Sequence, residues 1–315
     1  MAVRAGIIGT GGISRAHVRG YRNNGVTVTA LMDVNREAAE AMAVDIEGAK
    51  VFDTYGELLD SGQIDVLSIC TPPVAHEEPA VMALERDIHV LLEKPMAHTT
   101  ASGRHILDAA AKSSAVITIG FRHRYLPAVQ KLRELITNGT LGEIVLYQNA
   151  FTGPAFRMKD RWFSKKAISG GGSLMDTSIH SVDIFRYLLG EVAEQRALTA
   201  RHMDGIDVED ASMLLVKNPA GAVGCLMASW VAGVGQSFID VTGQDGRALF
   251  DYGQGDQVKL QRRGEKEWET IAVRPSDGFD EEIDGFLKAI RGEEGMLVTA
   301  QDGFRALEVI QNCYQ

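Results

Sequence analysis

The chain has 315 residues and a formal net charge of −10, from 32 Lys and Arg against 42 Asp and Glu. That balance, with the basic residues scattered, excludes a nucleic-acid-binding surface, which needs a contiguous cationic track along the phosphates. No apolar stretch reaches the roughly 18 residues of a membrane span, no charged-then-apolar leader precedes the first strand, and three unpaired-looking cysteines exclude a disulfide framework, so a soluble, cytoplasmic protein with no membrane partner is expected.

The chain opens on an apolar run, residues 3–8, too short for anything but a strand. It leads into Gly9-Thr10-Gly11-Gly12-Ile13-Ser14 and a helical stretch to residue 23. This is a G-x-G-x-x-G fingerprint with a small residue, Ser14, in the third glycine position. The first glycine makes the tight turn, the second admits a pyrophosphate, and the helix N-terminus favours its charge. A second strand, residues 26–32, ends at Asp33, placed to bind the adenosine ribose of NAD. Arg36 nearby leaves NADP open, because a guanidinium suits a 2′-phosphate.

Strands and helices keep alternating. Residues 36–45 read as helix, 51–52 as strand, 55–61 as helix and 64–70 as a buried strand that stops at Thr71-Pro72-Pro73, where proline forbids further ladder donors. Residues 76–86 are again helical, and the strand at 89–92 ends in Glu93-Lys94-Pro95. Such alternation implies a parallel, doubly wound sheet whose ligands bind beyond the carboxyl ends of its strands. Gly9, Asp33, Thr71 and Glu93-Lys94 all fall at such ends.

The pattern changes near residue 121. Strands then follow one another at 143–150, 194–200, 211–217, 222–230, 237–242, 247–251, 258–262 and 268–273, with Asn218-Pro219-Ala220-Gly221 a strong turn. The expectation is an α/β chain: a Rossmann domain at 1–121 and a second α+β domain at 122–315 with a large, mostly antiparallel open sheet. Helices at 128–138 and in the segment below cover one sheet face. The other face, with Met213, Leu215, Met227 and Trp230, is expected to pack on a second subunit as a homodimer or homotetramer. Residues 281–291 and 299–312 read as closing helices.

Within the second domain, Gly170-Gly171-Gly172 opens a helix on which Asp176, His180 and Asp183 stand at i, i+4 and i+7, one face. Histidine titrates near neutrality, and a neighbouring carboxylate orients it, so an acid–imidazole face suits general-base chemistry. The competing explanation is local: Ser173 and Asp176 form a capping box and His180 is an interior histidine. The eight histidines and three cysteines show no metal-ligand spacing.

Together the glycine turn, Thr71-Pro72-Pro73-x-x-His76, Glu93-Lys94-Pro95, Gly120-Phe121-Arg122-His123-Arg124-Tyr125 and the 170–183 segment resemble the Gfo/Idh/MocA oxidoreductases over nearly the whole chain and in the family's order. Pro73 and Arg122 depart from the residues many members carry there. The resemblance implies a nicotinamide-dependent enzyme that moves a hydride between NAD(P) and a hydroxyl or keto carbon of a sugar or cyclic polyol. Lys94, Asp176 and His180 are then catalytic. Gly9, Gly11, Gly12, Ile13, Asp33, Thr71, Pro72, His76, Glu93, Lys94 and Arg122 hold the cofactor. Substrate contacts fall to Lys94, Arg122, His123, Arg157, Asp160, Trp162, Asp176 and His180. Two other roles use the same fold: redox-assisted glycoside hydrolysis with tightly held NAD, and NAD(H) sensing without catalysis.

Overall fold

The structure, a computed structural model, describes residues 3–314. Its first sheet is built as the alternation requires. The strands are β1 (Arg4–Ile8), β2 (Thr27–Met32), β3 (Lys50–Phe52), β4 (Val66–Ile69), β5 (His89–Glu93) and β6 (Ile117–Gly120). Between them run α1 (Ser14–Asn23), α2 (Arg36–Ala43), α3 (Tyr55–Asp60), α4 (Glu77–Leu84) and α5 (Thr100–Ala110). Helices α2, α3 and α5 start where Asn35, Thr54 and Thr99 accept hydrogen bonds from the first turn. All pairings are parallel, in the order β3-β2-β1-β4-β5-β6. The order reverses at β1 and β4, the topological switch point at which open α/β sheets bind ligands.

The second sheet comprises β7 (Ile144–Pro154), β8 (Glu194–Ala200), β9 (Ala211–Lys217), β10 (Val223–Ser229), β11 (Val231–Gly243), β12 (Gly246–Asp251), β13 (Gln257–Arg262) and β14 (Glu269–Ala272). Its order is β14-β13-β12-β11-β7-β10-β9-β8, antiparallel except where β10 lies parallel to β7. Period-two burial along β9 and β10 sends Leu214, Val216, Leu226 and Ala228 inward. Helices α6 (Pro127–Thr137) and α9 (Ser178–Leu189) cover that inner face, with Phe185 edge-on to Tyr147 at 5.3 Å. Two short helices, α7 (Lys166–Ser169) and α8 (Ser173–Asp176), precede α9.

The outer face of this sheet carries exposed Leu146, Leu198, Met213, Leu215 and Val223, and register aligns Leu198, Met213, Met227 and Ala150 across four strands. Trp230, expected on that face, is instead 3 % exposed among Met203, Ile206 and Val208. It lies just beyond β10, where the strand alternation no longer dictates its side.

Packing separates two units, one through Arg122 together with Phe279–Leu307, the other His123–Gly278 with the chain from Glu308 onward. Helix α10 (Phe279–Ile290), placed by sequence with the second half, belongs to the first unit. The reason is apolar burial: its Ile283, Phe286 and Leu287 share a core with Tyr21, Val28 and Leu31. The last helix, α11, is Ala300–Asn312. Among the described residues no helix is long and apolar enough to cross a membrane.

Candidate active site

In the first unit the fingerprint turn is shaped for a dinucleotide. Gly9 has φ +88°, and a Cβ there would sit 2.7 Å from the carbonyl carbon of Cys70, at the end of β4. Only glycine meets both demands. Added Cβ atoms at Gly11 and Gly12 would meet nothing within 4 Å, so these residues and Ile13 border open space at the start of α1. Asp33 reaches over the turn: Oδ2 accepts from the backbone N–H and hydroxyl of Thr10 at 2.7 and 3.1 Å, and Oδ1 accepts from the N–H of Asn35 at 2.9 Å. Three donors leave part of the carboxylate's acceptor capacity for a ribose hydroxyl. These residues fit NAD. Arg36 is held by Glu40 at 2.8 Å and by Asp53.

Behind the turn lies a buried polar group that sequence reading missed. His17 of α1 is fully buried; its Nε2 is 2.9 Å from Glu93 Oε1 and its Nδ1 3.0 Å from the Ser68 hydroxyl, which also meets the Tyr21 hydroxyl at 2.8 Å. The backbone N–H of Lys94 donates to Glu93 Oε2 at 3.2 Å. Burial works against both charges. Yet contact with Cys70 and the Glu93 carboxylate raises His17 well above an ordinary imidazole, and His17 holds Glu93 below an ordinary carboxylate. Burial pushes the Cys70 thiol up, so it stays neutral and Glu93 supplies the countercharge. The Glu93 side chain thus faces His17. A histidine three residues after Ser14, on the inward face of α1, was the available signal.

His76 is fully buried, with ring nitrogens 2.8 Å from the Thr71 carbonyl oxygen and 3.0 Å from that of Pro95, between the loop after β4 and the loop after β5. Burial lowers its pKa and keeps it neutral. Thr71, Pro72 and Lys94 are half-buried at those two loops. The Arg122 guanidinium lies 5.1 Å over the Phe279 ring.

In the second unit the expected continuous helix is broken. Thr177, with φ −101° and ψ −51°, separates α8, which ends at Asp176, from α9, which carries His180 in its first turn. The Thr177 hydroxyl accepts from the Trp230 indole N–H at 3.1 Å and donates toward Asp176 Oδ2 at 3.5 Å. His180 and His123 meet edge-on at 4.6 Å, and His123 Nδ1 lies 3.0 Å from the Tyr252 hydroxyl. Phe151 packs 5.2 Å from both His123 and Tyr252. Asp183 pairs with Arg124. It is fully buried and takes two hydrogen bonds, 2.8 and 2.6 Å, from the Arg124 guanidinium. The capping box is absent as well, since the N-cap of α8 is Gly172 and the Ser173 hydroxyl donates to Ser212 at 3.2 Å. Arg157 and Asp160 are exposed on a turn, and Trp162 stacks on Phe163 at 3.7 Å. Tyr252 follows directly on β12, and nothing in the local pattern marks it.

Residues 3–121 match the oxidoreductase family with an NAD-binding Rossmann fold, and residues 129–249 match the Gfo/Idh/MocA C-terminal domain. The chain belongs to the Gfo/Idh/MocA oxidoreductases. Its first unit is an NAD-binding Rossmann fold. A D-glucoside 3-dehydrogenase of Escherichia coli K12 is 37 % identical over 60 % of this chain and 54 % of its own length, so the likeness spans about half of that protein. A myo-inositol 2-dehydrogenase of Thermotoga maritima is 25 % identical over 97 % of this chain and 93 % of its own. A levoglucosan dehydrogenase solved with NADH and levoglucosan shares the fold, with TM-score 0.92, 23 % identity and coverage of 100 % of this chain and 96 % of that one.

Proposed function

We propose that this Gfo/Idh/MocA member is an NAD-dependent dehydrogenase that oxidises a ring CH–OH of a sugar or cyclic polyol, or runs the reverse reduction. The observation that supports this most is the group of His180, His123 and Tyr252, with Asp176 held by Thr177 at the start of the helix that carries His180, in a chain whose other unit is an NAD-binding Rossmann fold. A polyol demands many polar partners, because each hydroxyl buried without one costs about 1–3 kcal/mol. The relatives that act on glucosides and inositol point to the same substrate class.

Bound NAD supplies the hydride acceptor. His180 takes the proton of the substrate hydroxyl as general base, and Asp176, itself held by Thr177, orients it. The Lys94 ammonium stabilises the developing alkoxide. His123, Tyr252, Arg122, Arg157 and Trp162 are the substrate-facing candidates. The chain's own charges favour NAD over NADP, since Asp33 opposes a 2′-phosphate and Arg36 is already held by Glu40 and Asp53. The exposed apolar row on the second sheet suits a second copy of the chain, giving a homodimer or homotetramer. Three free cysteines accord with a reducing, cytoplasmic setting.

The test is the initial rate of nicotinamide reduction over inositols, aldoses, glycosides and linear sugar alcohols, with NAD and with NADP. Turnover of a ring polyol or sugar with NAD preferred is expected. Cofactor binding with no turnover of any such alcohol, nor of the corresponding keto sugars with NADH, would refute the proposal.

A further inference from the structure

Helix α8 is four residues long, too short to hold its own direction, because a single turn fixes several dihedrals for one hydrogen bond. No side chain of its own segment caps it. Its start is instead built on one residue from elsewhere in the chain. Glu209 Oε1 accepts from the backbone N–H groups of Gly172 and Leu174, both at 2.9 Å, and from the Tyr314 hydroxyl at 2.7 Å. The Glu209 carbonyl accepts from the N–H of Ser173 at 2.8 Å. Three consecutive amides at the head of α8 are thus satisfied by a single residue that lies 35 to 37 positions downstream.

The glycines of this turn are explained by the same contacts. A Cβ on Gly172 would fall 1.8 Å from the Glu209 carbonyl oxygen, and one on Gly171 would fall 2.1 Å from the Tyr314 hydroxyl. Burial and the Glu209 charge keep the Tyr314 phenol protonated, and hence a donor to that carboxylate. We infer that Glu209 and Tyr314 are positioning residues: together they fix where α8 begins, and so where Asp176 and His180 stand.

This rests on the reading of Asp176 and His180 as catalytic. Asp176 follows one turn after Gly172, its N–H bonded to the Gly172 carbonyl at 2.8 Å, so a shift at the head of the helix passes directly to it. A displacement of about 1 Å at a reacting group costs on the order of a hundredfold in rate. Loss of the Tyr314 hydroxyl alone leaves both amide bonds to Glu209 and is the milder perturbation.

The experiment uses the full-length chain with Tyr314→Phe, Tyr314→Ala, Glu209→Gln, Glu209→Ala, Gly171→Ala and the Gly171→Ala/Tyr314→Ala pair. Glu209→Ala is expected to lower kcat by about a hundredfold and Tyr314→Phe by several-fold, with the NAD affinity of each unchanged. Glu209→Gln, which keeps an acceptor oxygen for the amides, retains more activity than Glu209→Ala. Gly171→Ala collides chiefly with Tyr314, so the pair loses less than the product of the two single losses, the 2.9 Å approach to Met175 Cβ remaining. Hydrogen exchange at the Gly172 and Leu174 amides accelerates in Glu209→Ala, and much less in Tyr314→Phe, while the middle of α9 stays protected. Additive losses in the pair, unchanged exchange at those amides, or a uniform loss of NAD binding and activity would overturn the inference. Full activity in His180→Asn would instead overturn the catalytic reading, and the exchange result would still report on Glu209 and Tyr314.

Discussion

Asp183 offers the sharpest energetic test of how the second unit is held together. Its side chain is 0 % exposed and that of Arg124 7 %, and the two oxygens meet the guanidinium in a two-pronged pair. The pair ties the turn that presents His123 to the helix that presents His180. Replacing Asp183 by Asn keeps the shape but strands a buried guanidinium, and breaking such a pair costs about 3–5 kcal/mol. For a unit of this size each kcal/mol moves the melting temperature by roughly 2–4 °C, so Asp183→Asn should melt about 6–20 °C below the wild type. Arg124→Met combined with Asp183→Leu removes both charges and should recover most of that loss, since apolar replacement of a whole buried pair is commonly neutral or better. Differential scanning calorimetry gives the answer. A single variant that melts within about 2 °C of wild type, or a double variant as unstable as the single, would refute the reasoning.

Three further outcomes are expected. His17→Gln leaves Glu93 buried without its countercharge. Glu93 titrates below its ordinary 4.5, so its share of stability is present above that value and is lost as pH falls through the folded value; His17 titrates above its ordinary 6.5, so its share is complete below 6.5 and is lost as pH rises through the folded value. Denaturant unfolding should therefore show the widest gap between wild type and variant at pH 4.5–6.5, narrowing on both sides, and a gap independent of pH would contradict the pairing. Asp33→Ser should raise KM for NAD by about tenfold or more while KM for NADP falls or holds; equal changes for both would show that Asp33 does not read the ribose. Leu215→Glu puts a charge on the exposed apolar sheet face and should yield monomers in light scattering, whereas an unchanged oligomer would place the subunit contact elsewhere.

Much of the fold was legible in the sequence because the relevant forces are local. Residues 194–200 and 211–217 read as successive strands, the bounds of β8 and β9, and along β9 burial alternates with period two. The fingerprint turn and Asp33 were legible because chain geometry alone sets their spacing. The errors have a common origin. Asp183 was grouped with Asp176 and His180 on the assumption of an unbroken helix, but Thr177 breaks it and the partner of Asp183 is Arg124, 59 residues away. The Ser173–Asp176 cap is likewise replaced by Glu209, and Trp230 is turned inward by partners distant in sequence. Helical or strand periodicity says which face a residue occupies; it does not say which distant group will claim its polar atoms.

The most direct test of the central claim separates cofactor binding from chemistry. Once the panel has supplied a substrate, NAD affinity by calorimetry and turnover by nicotinamide reduction are measured on wild type, Lys94→Ala and His180→Asn. His180→Asn is expected to bind NAD within about threefold of wild type and Lys94→Ala within about tenfold, and both to lose at least about a hundredfold in kcat, the size of a missing general base or oxyanion donor. Wild-type turnover in either variant, or NAD binding and turnover lost in proportion, would contradict the assignment of proton transfer to His180 and alkoxide stabilisation to Lys94.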